Sequence, residues 1–103
     1  MPDFPPAHPG DVLREDVMRP LGLTATALAR ALGVPGARLS GMLRARRAVT
    51  PDTALRLARD FGTSAEFWLS LQALHDLALA REAVGAEVEA TVHPRAAATP
   101  ATA

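Results

Sequence analysis

The chain has 103 residues, 11 arginines and no lysine against 11 acidic residues, no cysteine, and 49% apolar residues. That length holds one domain with a tail; the missing cysteines exclude a disulfide scaffold and a thiolate zinc site, and no apolar run approaches the ~20 residues that cross a bilayer. The net charge of zero is unevenly spread, with seven arginines against Asp52 over residues 30–59 (+6) and six acids against Arg81 over residues 60–90 (−5).

The opening MPDFPPAHPGD has neither a basic start nor an apolar stretch, so no secretory signal is expected and a cytoplasmic protein is. Residues 1–7, with Pro2, Pro5 and Pro6, read as a flexible or extended arm. Pro9 suits a first helical position and Asp11 the positive end of that helix. Leu13, Val17 and Leu21 then recur at four-residue spacing until Pro20 and Gly22 stop the helix. Thr24 is an N-cap for a second, short helix that buries Ala25, Leu28, Ala29 and Leu32 and ends at Gly33. Pro35 opens a third helix with Leu39, Met42 and Leu43 inward.

Thr50-Pro51-Asp52 gives an N-cap, a first-turn proline and a first-turn acid for a fourth helix, which buries Ala54, Leu57, Ala58 and Phe61 and ends at Gly62. Thr63 with Glu66 predicts a capping box for a fifth helix. That helix has two apolar stripes where one would satisfy a small core. Phe67, Leu71 and Leu74 are expected inward, Leu69, Ala73 and Leu77 toward a partner as a dimer interface, and Trp68 between them. Gly85 is expected to weaken the helix, and residues 91–103 read as a disordered tail. The expected fold is all-α, a five-helix repressor-like domain over residues 8–90, with no strand.

Residues 24–43, TATALARALGVPGARLSGML, carry the chemistry. A helix-turn-helix needs a small residue where one helix backs onto the next, a glycine at the turn, and apolar anchors on the second helix. Ala29, Gly33, Leu39 and Met42 meet these needs at the required spacing; without the basic cluster beside it, the same pattern would describe an ordinary helical hairpin. Arg44, Arg46 and Arg47 follow where a helix end and loop would meet a phosphate backbone. Arg38 projects from the second motif helix. Arginine grips phosphate through a two-pronged fork, a contact that positions a protein without reading sequence. Arg56 and Arg59 read more simply as solvation of the fourth helix.

The chain resembles the HigA family of antitoxins, within the phage-repressor (XRE-type) helix-turn-helix group. HPGDVLREDVMRPLGLT (residues 8–24), ALARALGVPGARLSGMLRARRAVTPDTALRLA (27–58) and FGTSAEFWLSLQALHDL (61–77) carry the resemblance, and the pairing of the first with the last is what distinguishes this family. It implies a homodimeric repressor of its own operon, bound to a palindromic operator, that neutralises a HigB-type toxin, an mRNA-cleaving ribonuclease of RelE-like fold. The family usually has polar, base-reading side chains early in its recognition helix. Here Gly36, Ala37, Ser40 and Gly41 surround Arg38, so specificity is expected to lean on Arg38, Ser40 and DNA shape.

Catalysis finds no support. His8, His75 and His93 are scattered, with no metal-ligand spacing, and Glu15 and Asp16 diverge by about 100° on a helix. His8 is expected to cap the first helix. No enzyme, cofactor or metal is expected. The reading is an antitoxin and DNA-binding autorepressor. Its alternatives are a stand-alone repressor without a toxin, or a protein-interaction module on a degenerate motif.

Overall fold

Proline and glycine set the helix boundaries in the computed structural model, which describes residues 6–96. Helix α1 starts as Pro9–Val12, widens into a π-helical turn over Leu13–Met18 and closes as Arg19–Leu21. The widening has a cause: Pro20 has no N–H for the Asp16 carbonyl, and its ring would clash there in a regular helix. The longer reach is visible where the Arg19 N–H bonds the Arg14 carbonyl, five residues back. Gly22, at φ 66°, then reverses the chain.

Helices α2 (Ala25–Leu32), α3 (Gly36–Leu43), α4 (Pro51–Phe61) and α5 (Ala65–Thr91) follow. Thr24 and Thr50 cap α2 and α4 through their hydroxyls, accepting from the N–H groups of Ala27 and Thr53. The first four helices pack into one cluster against the start of α5. Leu13, Leu28, Leu39, Met42, Leu57 and Trp68 are its largest fully buried apolar side chains, each stabilising by about 1.5–3 kcal/mol through loss of apolar surface to water. Among the described residues no helix is long and apolar enough to cross a membrane.

The architecture is the expected five-helix, all-α one; Ala25, expected inward on α2, is exposed because the buried stripe of that helix begins one turn later at Leu28, and the other corrections of burial fall on α5. Ser64, not Thr63, caps it, accepting from the Phe67 N–H at 3.0 Å. Thr63 Oγ1 instead accepts from Trp68 Nε1 at 2.8 Å, which draws the indole inward. Trp68 is therefore 1% exposed while Phe67 is 43% and Leu74 53% exposed. The helix is turned by about 100°, one residue step, from the expected orientation. Leu69, expected on the partner side, packs against the core with Leu71, whereas Ala73 and Leu77 face outward. Gly85 does not interrupt the helix, which runs on to Thr91. Residues 1–5 of the expected arm and 97–103 of the expected tail lie outside the described residues.

Candidate nucleic-acid interface

The turn between α2 and α3 is built as its residues require. Gly33 is left-handed at φ 69°, and the Val34 N–H bonds back to the Ala29 carbonyl at 3.1 Å, closing the end of α2. Ala29, 6% exposed, leaves room for α3 to cross; Leu39 and Met42, 1% and 2% exposed, pin α3 down. The outer face of α3 therefore presents Gly36, Ala37, Arg38, Ser40 and Gly41, a surface with little relief except for one guanidinium.

A second reversal follows at once. Arg44 ends α3, and Ala45 takes a left-handed conformation at φ 59°, the one non-glycine with positive φ among the described residues. The Ala45 N–H bonds the Met42 carbonyl at 3.0 Å and the Arg46 N–H bonds the Gly41 carbonyl at 2.8 Å, satisfying the last carbonyls of α3. This tight turn fans Arg44, Arg46 and Arg47 out on one exposed loop, where none is paired with a carboxylate among the described residues. Gly41 has a structural explanation here: the stem of Arg47 lies over it, and a Cβ at Gly41 would come within 3.0 Å of Arg47 Cγ and Cδ.

Two side chains distant in sequence hold this loop, and His8 packs nearby at the start of α1. Gln72 of α5, 8% exposed, accepts from the Val49 N–H at 2.8 Å and donates to Asp76 at 2.9 Å. Arg14 of α1 donates to the Leu43 carbonyl at 2.6 Å. His8, 4% exposed, caps α1 as expected, its Nδ1 accepting from the Gly10 N–H at 2.9 Å. Burial pushes the His8 pKa down and the nearby His75 pushes the same way, against smaller opposing effects of Asp11, Asp76 and the Arg47 backbone. His75 meets His8 edge to face at 5.1 Å and bonds the Pro6 carbonyl through Nδ1 at 2.9 Å.

Arg38, Arg44, Arg46, Arg47 and Ser40 thus come together on α3 and the loop after it. Arg38 and Arg47 line an open cleft with Ala48, Thr50, Asp52 and Thr53. Arg56 is more than a solvating charge: its Nη1 donates to the Leu32 carbonyl at 2.9 Å and its Nε to Asp52 at 2.7 Å. That bond from Arg56 holds the Asp52 carboxyl below the usual carboxylate range. Arg38 Nη1 reaches the same Asp52 oxygen at 3.1 Å. Sequence reasoning missed Asp52, Arg56, Gln72 and Gly10 as parts of this region. Only Gly10, standing between a cap and a first-turn acid, had a local signal. Among the described residues no cluster of three or more His, Asp and Glu side chains could hold a metal ion.

Comparison with known proteins agrees with this geometry. Residues 13–68 match the helix-turn-helix family model. Virulence-associated protein I of Dichelobacter nodosus is 46% identical over 80 residues, 78% of this chain and 74% of that protein. An addiction module antidote protein of the HigA family from Coxiella burnetii superposes with a TM-score of 0.85 at 40% identity, covering 89% of this chain and all of that one. The Pseudomonas aeruginosa antitoxin HigA, solved with the higBA promoter, gives a TM-score of 0.84 at 39% identity over 86% of this chain and 97% of its own.

Proposed function

The chain belongs to the helix-turn-helix family, and from that premise we propose that it is a HigA-like antitoxin that binds operator DNA and represses its own operon. One observation carries this reading: α3 stands on the surface with Arg38 on its outer face, and Arg44, Arg46 and Arg47 fan out directly after it. The P. aeruginosa antitoxin solved with its promoter supports it.

The chemistry follows from the side chains. A major groove about 12 Å wide admits one helix, and the low relief of Gly36, Ala37 and Ser40 lets the α3 backbone come close to base edges. Arg38 can then bond the two acceptors of a guanine, with Ser40 offering a hydroxyl from a separate part of the same helix surface. Arg44, Arg46 and Arg47 neutralise phosphates and set the register. The protein acts by binding and not by catalysis.

Two such helices read half-sites ~34 Å apart in a two-fold dimer on a palindromic operator. The surface offered for that dimer is the outward face of α5, where Phe67, Ala73, Leu74 and Leu77 share one arc away from the core. As in the family it resembles, the chain neutralises a HigB-type ribonuclease by direct binding. The test is a gel shift on DNA upstream of the chain's own gene, with and without the product of the adjacent gene. A retarded band that changes mobility when the product is added supports both halves of the reading. No band at any low-salt concentration up to micromolar rejects the repressor, and unchanged mobility together with unchecked RNA cleavage rejects the antitoxin.

A further inference from the structure

Asp52 is a carboxylate in the middle of the surface that is to meet a polyanion. It stands on the first turn of α4, beside the cleft that Arg38 and Arg47 share. By charge alone it weakens every phosphate contact around it, so its place there needs another explanation. Exposed ion pairs contribute little to stability, and Asp52, Arg38 and Arg56 keep side-chain exposures of 59%, 37% and 42%. As a first-turn acid Asp52 also gains a little from the positive end of α4, but an acid elsewhere on that turn would gain the same, so stability is not the explanation for a carboxylate that meets Arg38.

The geometry gives one. Asp52 Oδ1 accepts from Arg38 Nη1 at 3.1 Å and from Arg56 Nε at 2.7 Å. Arg56 is itself fixed, since its Nη1 donates to the carbonyls of Leu32 and Gly33 at 2.9 and 3.4 Å, at the turn between the two motif helices. A continuous chain of hydrogen bonds thus runs from the rigid backbone of the turn, through Arg56 and Asp52, to the guanidinium of Arg38. A free arginine has several rotatable bonds and loses much rotamer entropy when it docks on a base; one already held loses less. The planar fork is useful for reading a guanine only if its plane is set.

We infer that Asp52 is the specificity-setting residue of the DNA surface: it aims Arg38 at the bases through the Arg56 buttress and at the same time repels DNA that offers Arg38 no base partner. Asp52 is a positioning residue, acting through Arg38. The inference rests on the operator-binding reading above and assigns that site a second, opposing charge.

The experiment compares the full chain with Asp52→Ala, Asp60→Ala, Arg38→Ala and the Asp52/Arg38 double-alanine variant. Asp60 is an exposed acid two turns further along α4 and controls for the lost charge. Each protein is titrated against a duplex from the promoter of its own gene and a random duplex of equal length, at the same salt, with thermal melts to verify folding. Asp52→Ala is expected to bind random DNA more tightly yet lose about tenfold in the ratio of promoter to random affinity. Asp60→Ala keeps the ratio. In the Arg38→Ala background, removing Asp52 leaves the ratio where Arg38→Ala alone put it. A ratio unchanged or raised by Asp52→Ala, or lowered equally by Asp60→Ala, or lowered again in the double variant, overturns the inference while the repressor reading stands. A full chain that binds promoter and random DNA alike overturns the operator reading, and the inference with it.

Discussion

At Gly10 the first turn of α1 touches the backbone of α3, and a Cβ there would overlap the Met42 carbonyl. The backbone cannot give way as a flexible side chain can. Gly10→Ala is therefore expected to lower stability by about 1–3 kcal/mol, read as a drop in melting temperature. Gly36→Ala, with open space around it and a helical backbone, is the control and should hold or slightly raise the melting temperature. Ala45 presents the opposite case, since a left-handed alanine is strained. Ala45→Gly relieves that strain and, after the extra entropy glycine gains on unfolding, should stabilise by roughly 0.5–1 kcal/mol. A melt lower than that of the parent chain would contradict this. His8 links stability to pH. Its folded pKa lies below the ordinary 6.5, through burial first and His75 second, so the unfolded chain binds the proton more readily. Its contribution is complete above the unfolded pKa and is lost as pH falls through the folded one. Melting temperature should fall on going from about pH 7 to pH 5, and His8→Asn, which keeps an acceptor for the cap, should flatten part of that fall.

The elements divide the work between holding and contacting. Helices α1 and α5 hold the loop after α3 from behind, through the Arg14 bond to the Leu43 carbonyl and the Gln72 bond to the Val49 N–H. The loop itself contributes the exposed guanidinium groups proposed above as phosphate contacts that leave the bases alone. Arg46→Ala should accordingly weaken binding to promoter and random duplexes by the same factor and make the salt dependence shallower by about one unit of slope. Fluorescence anisotropy at several salt concentrations measures both. A change in the ranking of promoter variants would instead assign Arg46 to base contact. The starts of all five helices, and the ends of α1, α2 and α4, were legible in the sequence to within a residue or two, because caps, prolines and glycines act within one turn. The face of α5 was not. Phe67 and Trp68 are adjacent and both aromatic, and periodicity alone could not rank them. The indole bond to Thr63 and the demand of the Val49 N–H for Gln72 turned the helix toward Trp68.

The described residues form an elongated body, 54 × 26 × 24 Å with a radius of gyration of 17.2 Å, against about 13 Å for a compact chain of 100 residues. The 27 residues of α5 explain it: such a helix is ~40 Å long, and its distal half extends beyond the core. Leu74, Leu77, Val84 and Val88 remain about half exposed along it, more apolar surface than a small monomer gains by showing to water. If that face joins two copies, Leu77→Glu should produce a folded, helical monomer with much weaker promoter binding, because two half-sites are no longer held by one particle. Sedimentation at micromolar concentration decides it; a dimer that survives the change would place the interface elsewhere.

Whatever depends on neighbours within a turn is readable from the residues alone: five helices with their starts, the stops at Gly22, Gly33 and Gly62, the helix-turn-helix spacing of Ala29, Gly33, Leu39 and Met42, and the basic run of Arg44, Arg46 and Arg47, since steric restriction, capping and helical periodicity are all local. Only the tertiary structure decided which α5 face is buried, why Gly10 must be glycine, why Gly41 lies beneath Arg47, and that Asp52 and Arg56 stand behind Arg38. Arg56 meets a carbonyl 24 positions away in the chain, Val49 meets a side chain 23 away, and Arg14 meets a carbonyl 29 away. Partners at such separations leave no periodic trace in a single sequence, because packing selects them only after the helices have formed.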